Sequence, residues 1–244
     1  MISMAGESLR NPSLDLLMSI SQEVCKFEYR HLQKASRDLK SRRNHICIVN
    51  GEEMEKITSG NFIFTKTAIE GVVIVDVKSF GDSRGYFMET YKNPDFVAGG
   101  IDVDFVQENQ SMSVKGVLRG LHYQINHPQS KLVRVVEGAV FDVAVDLRPG
   151  SSTYGKWVGV ELSADNRRQL FIPRGFAHGF LVLSERAVFC YKCDDVYHPN
   201  DEGGLMWNDP AIGIEWPAMQ GDAMFDATKI VLSDKDKKHP PLFH

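Results

Sequence analysis

Short apolar runs rich in β-branched and aromatic residues, separated by glycine, proline, aspartate and asparagine, occupy the chain from residue 61 onward. This pattern indicates many short strands with frequent turns, and no long helical periodicity lies between them. We therefore predict an all-β fold, an antiparallel sandwich or barrel rather than a doubly wound α/β fold. The predicted strands are residues 71–77, 86–91, 103–110, 117–124, 132–137, 139–147, 157–162, 169–172, 179–183 and 187–192.

Alternation of side-chain character is clearest in the predicted strand 139–147. Phe141 and Val143 alternate there with Asp142 and Asp146. Successive side chains of a strand point to opposite faces of the sheet. We expect one apolar face and one polar face for this strand.

The strand pattern begins only after about residue 54, which divides the chain into two parts. We predict an N-terminal extension over residues 1–53, weakly helical or disordered, and a single strand-rich domain over residues 54–244. The end of that domain, residues 223–244, is predicted to form a short helical or loop tail laid over the barrel.

The extension carries a basic stretch over residues 26–43, after Ser13, which can cap a helix. A targeting or interaction tail is the functional interpretation of this stretch. We favour a solvated face, or upstream sequence that is translated here although it is normally untranslated. Gly51-Glu52-Glu53 before Met54 is what a purine-rich ribosome-binding site would encode, which makes Met54 a candidate start.

Composition narrows the class of protein. With 244 residues, of which 43% are hydrophobic and 25% charged, the chain can bury one sizeable core. A net charge of -4 supplies no basic field for nucleic acid, and the apolar runs are far shorter than the roughly 20 residues of a membrane helix. The N-terminus lacks the features of a secretory signal. We expect a cytoplasmic protein with no nucleic-acid or membrane partner.

Motifs for common cofactors are missing from the sequence. No G-x-G-x-x-G follows a first strand and no Walker loop is found, so neither a dinucleotide nor ATP is indicated. Cys190 and Cys193 form one C-x-x-C, but residues three apart on a strand point to opposite faces. Because no second pair completes a zinc set, we predict buried or free thiols rather than a metal site or disulfide.

The segment Arg119-Gly120-Leu121-His122-Tyr123-Gln124, with Lys131, Tyr191 and Asp236, contains the residues most suited to chemistry. Together they offer a base, a cation, an acid and a carboxylate. These groups are what is needed to remove a proton from carbon beside a ketone, hold the enolate and return a proton from the other side.

Several ordered motifs make the chain resemble a known family, the dTDP-4-dehydrorhamnose 3,5-epimerases. The resemblance runs from Asn61 to the C-terminus and implies a cupin-type jelly roll, a homodimer exchanging N-terminal strands, and epimerisation of dTDP-4-dehydro-6-deoxy-D-glucose without a cofactor. The motifs are Asp82-Ser83-Arg84-Gly85-Tyr86-Phe87, the segment 107–124, Lys131-Leu132-Val133-Arg134, residues 141–146, residues 172–180 and Trp207-Asn208-Asp209-Pro210.

The resemblance also implies roles for individual residues. His122 would be the base, paired with Asp236, and Tyr191 would be the acid. A carboxylate fixes the tautomer of an imidazole and stabilises the imidazolium formed after proton abstraction. Lys131 would stand by the sugar ketone, where its charge stabilises the developing enolate.

For the nucleotide, the resemblance places Arg84 and Arg119 near the diphosphate, which suits the guanidinium fork. Strict pleating would put Arg119 and His122 on opposite faces, so we expect a bulge or twist at Gly120 that lets both reach one ligand. The other implied contacts are polar contacts from Glu89, Gln107 and Asn109, stacking of Tyr197 on thymine, and His178, Glu202 and Lys235 lining the site.

Metal-binding cupins offer an alternative, since they carry G-x5-H-x-H and P-x-G-x-x-H. Gly116 precedes His122 at the first spacing, and Pro173 precedes His178 at the second. However, Gln124 stands where the second histidine belongs, and no glutamate follows at the expected spacing. We therefore expect no metal site.

Two functional alternatives share the same residues. A single-site epimerase of another dTDP-deoxysugar pathway would use the same base and acid, and the sequence does not separate it from a 3,5-epimerase. A non-catalytic cupin that binds a sugar nucleotide is disfavoured, because His122, Lys131, Tyr191 and Asp236 are all present.

Overall fold

The computed structural model describes residues 54–242, which form two antiparallel β-sheets packed face to face and a separate hairpin. The predicted all-β jelly roll is therefore confirmed. The predicted extension, residues 1–53, lies outside the described residues. Within residues 54–242, no helix has the length and apolar character that crossing a membrane requires.

The larger sheet has seven strands and the smaller has five, here numbered in chain order. The larger sheet runs β1 (Lys56–Ser59), β2 (Phe62–Lys66), β3 (Val73–Val77), β11 (Gln169–Ile172), β8 (Lys131–Glu137), β13 (Arg186–Cys193) and β6 (Gln107–Val114). The smaller sheet runs β10 (Trp157–Ser163), β9 (Ala139–Asp146), β12 (Phe176–Val182), β7 (Leu118–Gln124) and β14 (Glu202–Gly204). Within the described part of the chain, strands β4 (Ser79–Asp82) and β5 (Gly85–Met88) pair only with each other.

Several elements differ from the prediction. Strands β1, β2, β4 and β14 were not predicted, and β6 begins four residues later than expected. Gly60 and Asn61 form the two-residue turn between β1 and β2, a recognised hairpin signal that our interpretation did not use. The helix α1 (Asn93–Ala98) was also missed, because its six residues are too few to show helical periodicity.

The core lies between the sheets and continues over both outer faces. Val133, Leu170 and Phe189 of the larger sheet pack with Val160 and Phe180 of the smaller one. Burying each such side chain contributes roughly 1.5–3 kcal/mol. On the far side of the larger sheet, the aromatic residues of β2 pack against α1.

The expected polar face of β9 is wrong. All eight residues of this strand are buried, including Asp142 and Asp146 at 0% exposure. One face of β9 points between the sheets, and the other lies beneath the C-terminal segment, where Trp216 and Ile212 pack on Phe141 and Val143. A strand with alternating polarity is here buried on both faces, because its carboxylates have partners inside the protein.

The C-terminal segment brings the end of the chain to β7. Val231 forms a bridge with Val117, just before that strand. The predicted tail contains two single-turn 3-10 helices, Ala227–Lys229 and Asp236–Lys238. Its path across the smaller sheet is what delivers Asp236 to the strand that carries His122.

Candidate active site

A cavity of about 310 Å³ opens between the two sheets, a size that suits a small ligand. Strands β6, β8 and β13 of one sheet and β7 and β14 of the other contribute to its walls. The sequence-predicted residues on these walls are Gln107, Asn109, His122, Lys131, Tyr191, Tyr197 and Glu202. Tyr123, Gln124 and Gln129 complete the lining.

The expected irregularity at Gly120 is confirmed. Opposite β12, His122 pairs with His178 while Arg119 pairs with Phe180, so β7 contains one more residue than its partner over this stretch. Because His178 and Phe180 are two apart, their partners share one face of the sheet. Gly120 has a φ of 124° and lies against the backbone of Gly179, where a larger residue would not fit.

His122 is held by a buried carboxylate. Its Nε2 lies 2.6 Å from Oδ1 of Asp236, whose side chain is 4% exposed. Burial alone would raise the pKa of Asp236, but the hydrogen bond and charge of His122 hold it below its usual value. The carboxylate therefore stays ionised and fixes the imidazole, which leaves Nδ1 as the nitrogen that can accept a proton.

Tyr191 reaches the cavity from the opposite sheet. It lies on β13, paired with Asn109 of β6 and Val133 of β8, and its ring packs against the inter-sheet core. Burial raises the pKa of Tyr191, so its phenol keeps its proton at neutral pH. A protonated hydroxyl that lines the same cavity as an imidazole from the other sheet is suited to act as an acid.

Lys131 begins β8 and lines the same cavity. Burial lowers the pKa of its ammonium, while negative charge on Cys193, Asp142 and Glu202 would raise it. Burial also raises the pKa of the Cys193 thiol to about 11, so that thiol is neutral at pH 7. The two carboxylates are therefore the groups that favour the charged lysine.

A polar network borders the cavity. The Tyr197 hydroxyl donates to Glu202 Oε2 at 2.8 Å, and Lys235 forms an ion pair with the same carboxylate. Gln107 accepts from the Tyr197 backbone N–H at 3.0 Å and donates to Asn109 Oδ1 at 3.0 Å. These contacts orient the rim of the cavity and leave the Tyr197 ring half exposed.

Five predicted contact residues lie off the walls of this cavity in the single chain, and one of them, Lys235, contacts it only through the ion pair with Glu202. Arg84 is fully exposed in the β4–β5 turn and pairs with Asp82. Arg119 donates to Ser113 Oγ at 2.9 Å. Glu89 accepts from Asn61, and His178 is buried with its Nε2 2.9 Å from Asp142 Oδ2.

Two residues that contact the predicted site histidines were not singled out by the sequence analysis. Asp142 supports His178 from within the core, but its alternation with apolar residues favoured a solvent-facing position. His239 lies edge-on to the His122 ring at 5.4 Å between centroids, and no motif marks it in the charged tail. Burial, followed by the charge of His122, lowers the pKa of His239 and keeps it neutral.

The buried position predicted for the thiols is found for Cys190 and Cys193. Cys190 and Cys193 are both free thiols and both buried. They lie on β13, which pairs with β8 on one side and β6 on the other.

Comparison with known proteins gives a consistent result. The family pattern described as dTDP-4-dehydrorhamnose 3,5-epimerase matches residues 66–244. The protein of that name from Methanothermobacter thermautotrophicus is 52% identical over 181 residues, covering 74% of this chain and 95% of that protein.

Solved structures show the same similarity. The crystal structure of dTDP-4-dehydrorhamnose 3,5-epimerase from Elizabethkingia anophelis NUHP1 has a TM-score of 0.69 and 45% identity, covering 75% of this chain and 97% of that one. The dTDP-6-deoxy-D-glucose-3,5-epimerase from Legionella pneumophila Philadelphia 1, in complex with dTDP-4-keto-L-rhamnose, has a TM-score of 0.67 and 45% identity, covering 79% and 95%.

Proposed function

The chain belongs to the dTDP-4-dehydrorhamnose 3,5-epimerase family of isomerases, and from that membership we propose which of its residues carry the reaction. The enzyme converts dTDP-4-dehydro-6-deoxy-D-glucose to dTDP-4-dehydro-L-rhamnose by epimerisation at carbons 3 and 5. Both carbons adjoin the C4 ketone, so loss of a proton from either gives an enolate. The assignment of roles rests on one observation, that His122 and Tyr191 line one cavity from opposite sheets.

His122 is the proposed base. With Nε2 engaged by Asp236, Nδ1 takes the proton from carbon, and the buried carboxylate stabilises the imidazolium that forms. Lys131 lines the same cavity as His122 and Tyr191, and we assign it to the enolate oxygen. That negative charge exists only after deprotonation begins, so the interaction lowers the barrier rather than merely binding substrate.

Tyr191 is the proposed acid. It donates its phenolic proton to the face of carbon opposite the one that His122 deprotonated, which inverts the centre. A single base would tend to return the proton to the face it came from. The chemistry moves only protons: for each centre His122 takes up one and Tyr191 releases one, and proton exchange with water restores both groups before the next centre, so no electron acceptor or cofactor is required.

The nucleotide contacts are proposed from the same cavity. Tyr197 at the rim offers an exposed ring for stacking on thymine, and Gln107, Asn109 and Glu202 offer polar groups beside it. Lys235 acts through its ion pair with Glu202. His178 pairs with His122 on the neighbouring strand and supports its position beside the cavity.

A homodimer would supply the Arg84 guanidinium group, which the single chain keeps off the cavity. The β4–β5 hairpin pairs with no other strand among the described residues and exposes Phe80, Tyr86 and Phe87 at 45%, 55% and 67%. An exposed aromatic hairpin suits exchange with a second copy of the chain. We propose that exchange carries Arg84 and Glu89 to the partner's site, where Arg84 and Arg119 bind the diphosphate.

A cytoplasmic location is proposed on the state of the thiols. Cys190 and Cys193 are free in the part of the chain that the structure describes, as expected for a protein kept in a reducing compartment.

The assignment is tested by incubating the enzyme with the keto sugar in deuterated water and locating the label by NMR. Wild-type enzyme should introduce deuterium at carbons 3 and 5. His122→Ala should abolish that exchange while dTDP affinity, measured by calorimetry, stays within about twofold. Exchange at the wild-type rate in His122→Ala would exclude His122 as the base.

A further inference from the structure

Two imidazoles meet one carboxylate beside the cavity. Nε2 of His122 lies 2.6 Å from Asp236 Oδ1, and Nε2 of His239 lies 3.3 Å from the same oxygen. One donor atom from each of the three residues can be chosen so that all lie within 4.8 Å of one another. Two histidines and an aspartate are a donor set that zinc accepts, with a fourth position left for water or ligand.

The Nε2 atom of His239 points toward Asp236 and has no hydrogen-bond partner in the described part of the chain. Its side chain is only 9% exposed, and Nε2 makes no hydrogen bond among residues 54–242 despite its closeness to Asp236. Buried polar groups nearly always have a partner, so an unsatisfied nitrogen in such a position asks for an explanation.

The chain also makes room for this imidazole. A Cβ placed on Gly204 would overlap the His239 ring, and Gly204 is the residue of β14 that pairs with His122 of β7. The glycine thus lets the second imidazole lie against the strand pair that carries the first. His239 is held next to His122 by backbone packing and not by a flexible surface contact.

We propose that His122, Asp236 and His239 form a binding site for Zn²⁺. A tetrahedral zinc with Zn–N bonds near 2.0–2.1 Å keeps its ligand atoms about 3.4 Å apart. The separation of 3.3 Å between His239 and Asp236 already meets this requirement. The separation of 2.6 Å between His122 and Asp236 must widen by about 0.8 Å, which a small rotation of one side chain provides.

This site differs from the metal arrangement excluded on sequence grounds. There, Gln124 stood where the second histidine of a metal-binding cupin belongs. Here the second imidazole comes from the C-terminal segment, 117 positions after His122 by the numbering, and the carboxylate comes from the same segment.

Bound zinc would stop epimerisation, an inference that rests on the proposed base. A neutral imidazole has one lone pair, so a metal on Nε2 of His122 leaves the proton on Nδ1. That is the nitrogen proposed to accept the substrate proton. The cation would lie behind His122 and not at the rim, so dTDP should still bind while proton exchange ceases.

The site itself is tested without substrate. Titrating the tag-free, full-length protein with Zn²⁺ in a calorimeter should show one equivalent bound, and Co²⁺ should give the intense visible absorption of a tetrahedral complex. His239→Asn removes one ligand, and Gly204→Ala displaces the His239 ring while all three ligand residues are retained. Each should raise the Zn²⁺ dissociation constant at least about tenfold.

The matched control is His198→Asn, which removes an imidazole that stacks on His127 away from the cluster. It should bind Zn²⁺ like the wild type. Absence of stoichiometric binding, or an unchanged dissociation constant in His239→Asn, would overturn the proposal. Deuterium exchange that continues in the zinc-saturated wild type would leave the metal site standing and refute His122 as the base.

Discussion

Replacing Asp236 by asparagine tests the coupling between the tail and the base. The change keeps the size of a side chain that is 4% exposed, but it removes the negative charge 2.6 Å from His122 Nε2. A hydrogen bond to a charged group is worth about 1.5–3 kcal/mol. At 1.36 kcal/mol for each factor of ten, the lost stabilisation of the imidazolium slows proton abstraction by about 10- to 160-fold.

The amide adds a second effect through the tautomer. Its N–H group can donate to Nε2 of His122, which places the ring proton on Nδ1 and removes the lone pair needed there. The corresponding change in a serine-protease triad costs about 10⁴ in kcat, which sets the upper end of the expected loss. Asp236→Asn should therefore be slower than Asp236→Ala, in which no amide imposes the wrong tautomer.

The assay is the initial rate of deuterium incorporation at carbons 3 and 5, followed by NMR, with dTDP affinity measured in parallel. Asp234→Asn is the matched control in the same segment, because its side chain is 91% exposed and its ion pair with Lys237 is worth little. The control should exchange at the wild-type rate. An Asp236→Asn rate within threefold of wild type, with dTDP binding intact, would refute the dependence of the base on this carboxylate.

Three further outcomes are expected. Tyr191→Phe should lower net epimerisation by about 10²- to 10⁴-fold with unchanged dTDP affinity, and a normal epimerisation rate would remove Tyr191 from the mechanism. Mixing inactive Arg84→Ala and His122→Ala chains should recover activity in hybrid dimers; no recovery after subunit exchange would contradict a site shared between copies. Burial alone would raise the pKa of Asp201, but hydrogen-bond donors of residues 126–127 lower it to about 2. The ionised Asp201 carboxylate therefore stabilises the folded protein fully above the unfolded pKa near 3.9, and this stabilisation is lost as the pH falls through about 2. Urea midpoints measured from pH 5 to 2 should fall less steeply for Asp201→Asn than for wild type.

The local sequence pattern was sufficient to predict those features of the fold and site that depend on residues within one strand. The alternation of strands and turns predicted the sandwich, and the segment 119–124 identified His122 together with the irregularity at Gly120. Lys131 begins β8, where the motif Lys131-Leu132-Val133-Arg134 is visible in the sequence, and Tyr191 lies within the predicted strand 187–192 on the neighbouring β13.

The positions of Asp142 and His239 were not predicted from the sequence, because tertiary contacts determine them. Asp142 looks solvent-facing when β9 is considered alone, but β9 lies inside the smaller sheet and is covered on both faces, so Asp142 is buried against His178. His239 lies beside His122 because the C-terminal segment crosses the smaller sheet and packs against Gly204. Neither position follows from periodicity, since each depends on contacts between residues far apart in sequence.

The packing of the core sets the distance between His122, the proposed base, and Tyr191, the proposed acid. His122 belongs to the smaller sheet and Tyr191 to the larger, so the distance between them is the spacing of two packed sheets. That spacing is set by side chains such as Phe180 and Phe189, whose rings stack across the interior at 4.2 Å, and Phe189 lies two residues from Tyr191 on the same strand. Because close-packed interiors resist compression, the hydrophobic contacts that stabilise the fold also hold the two proposed proton-transfer groups at a fixed distance on either side of the cavity.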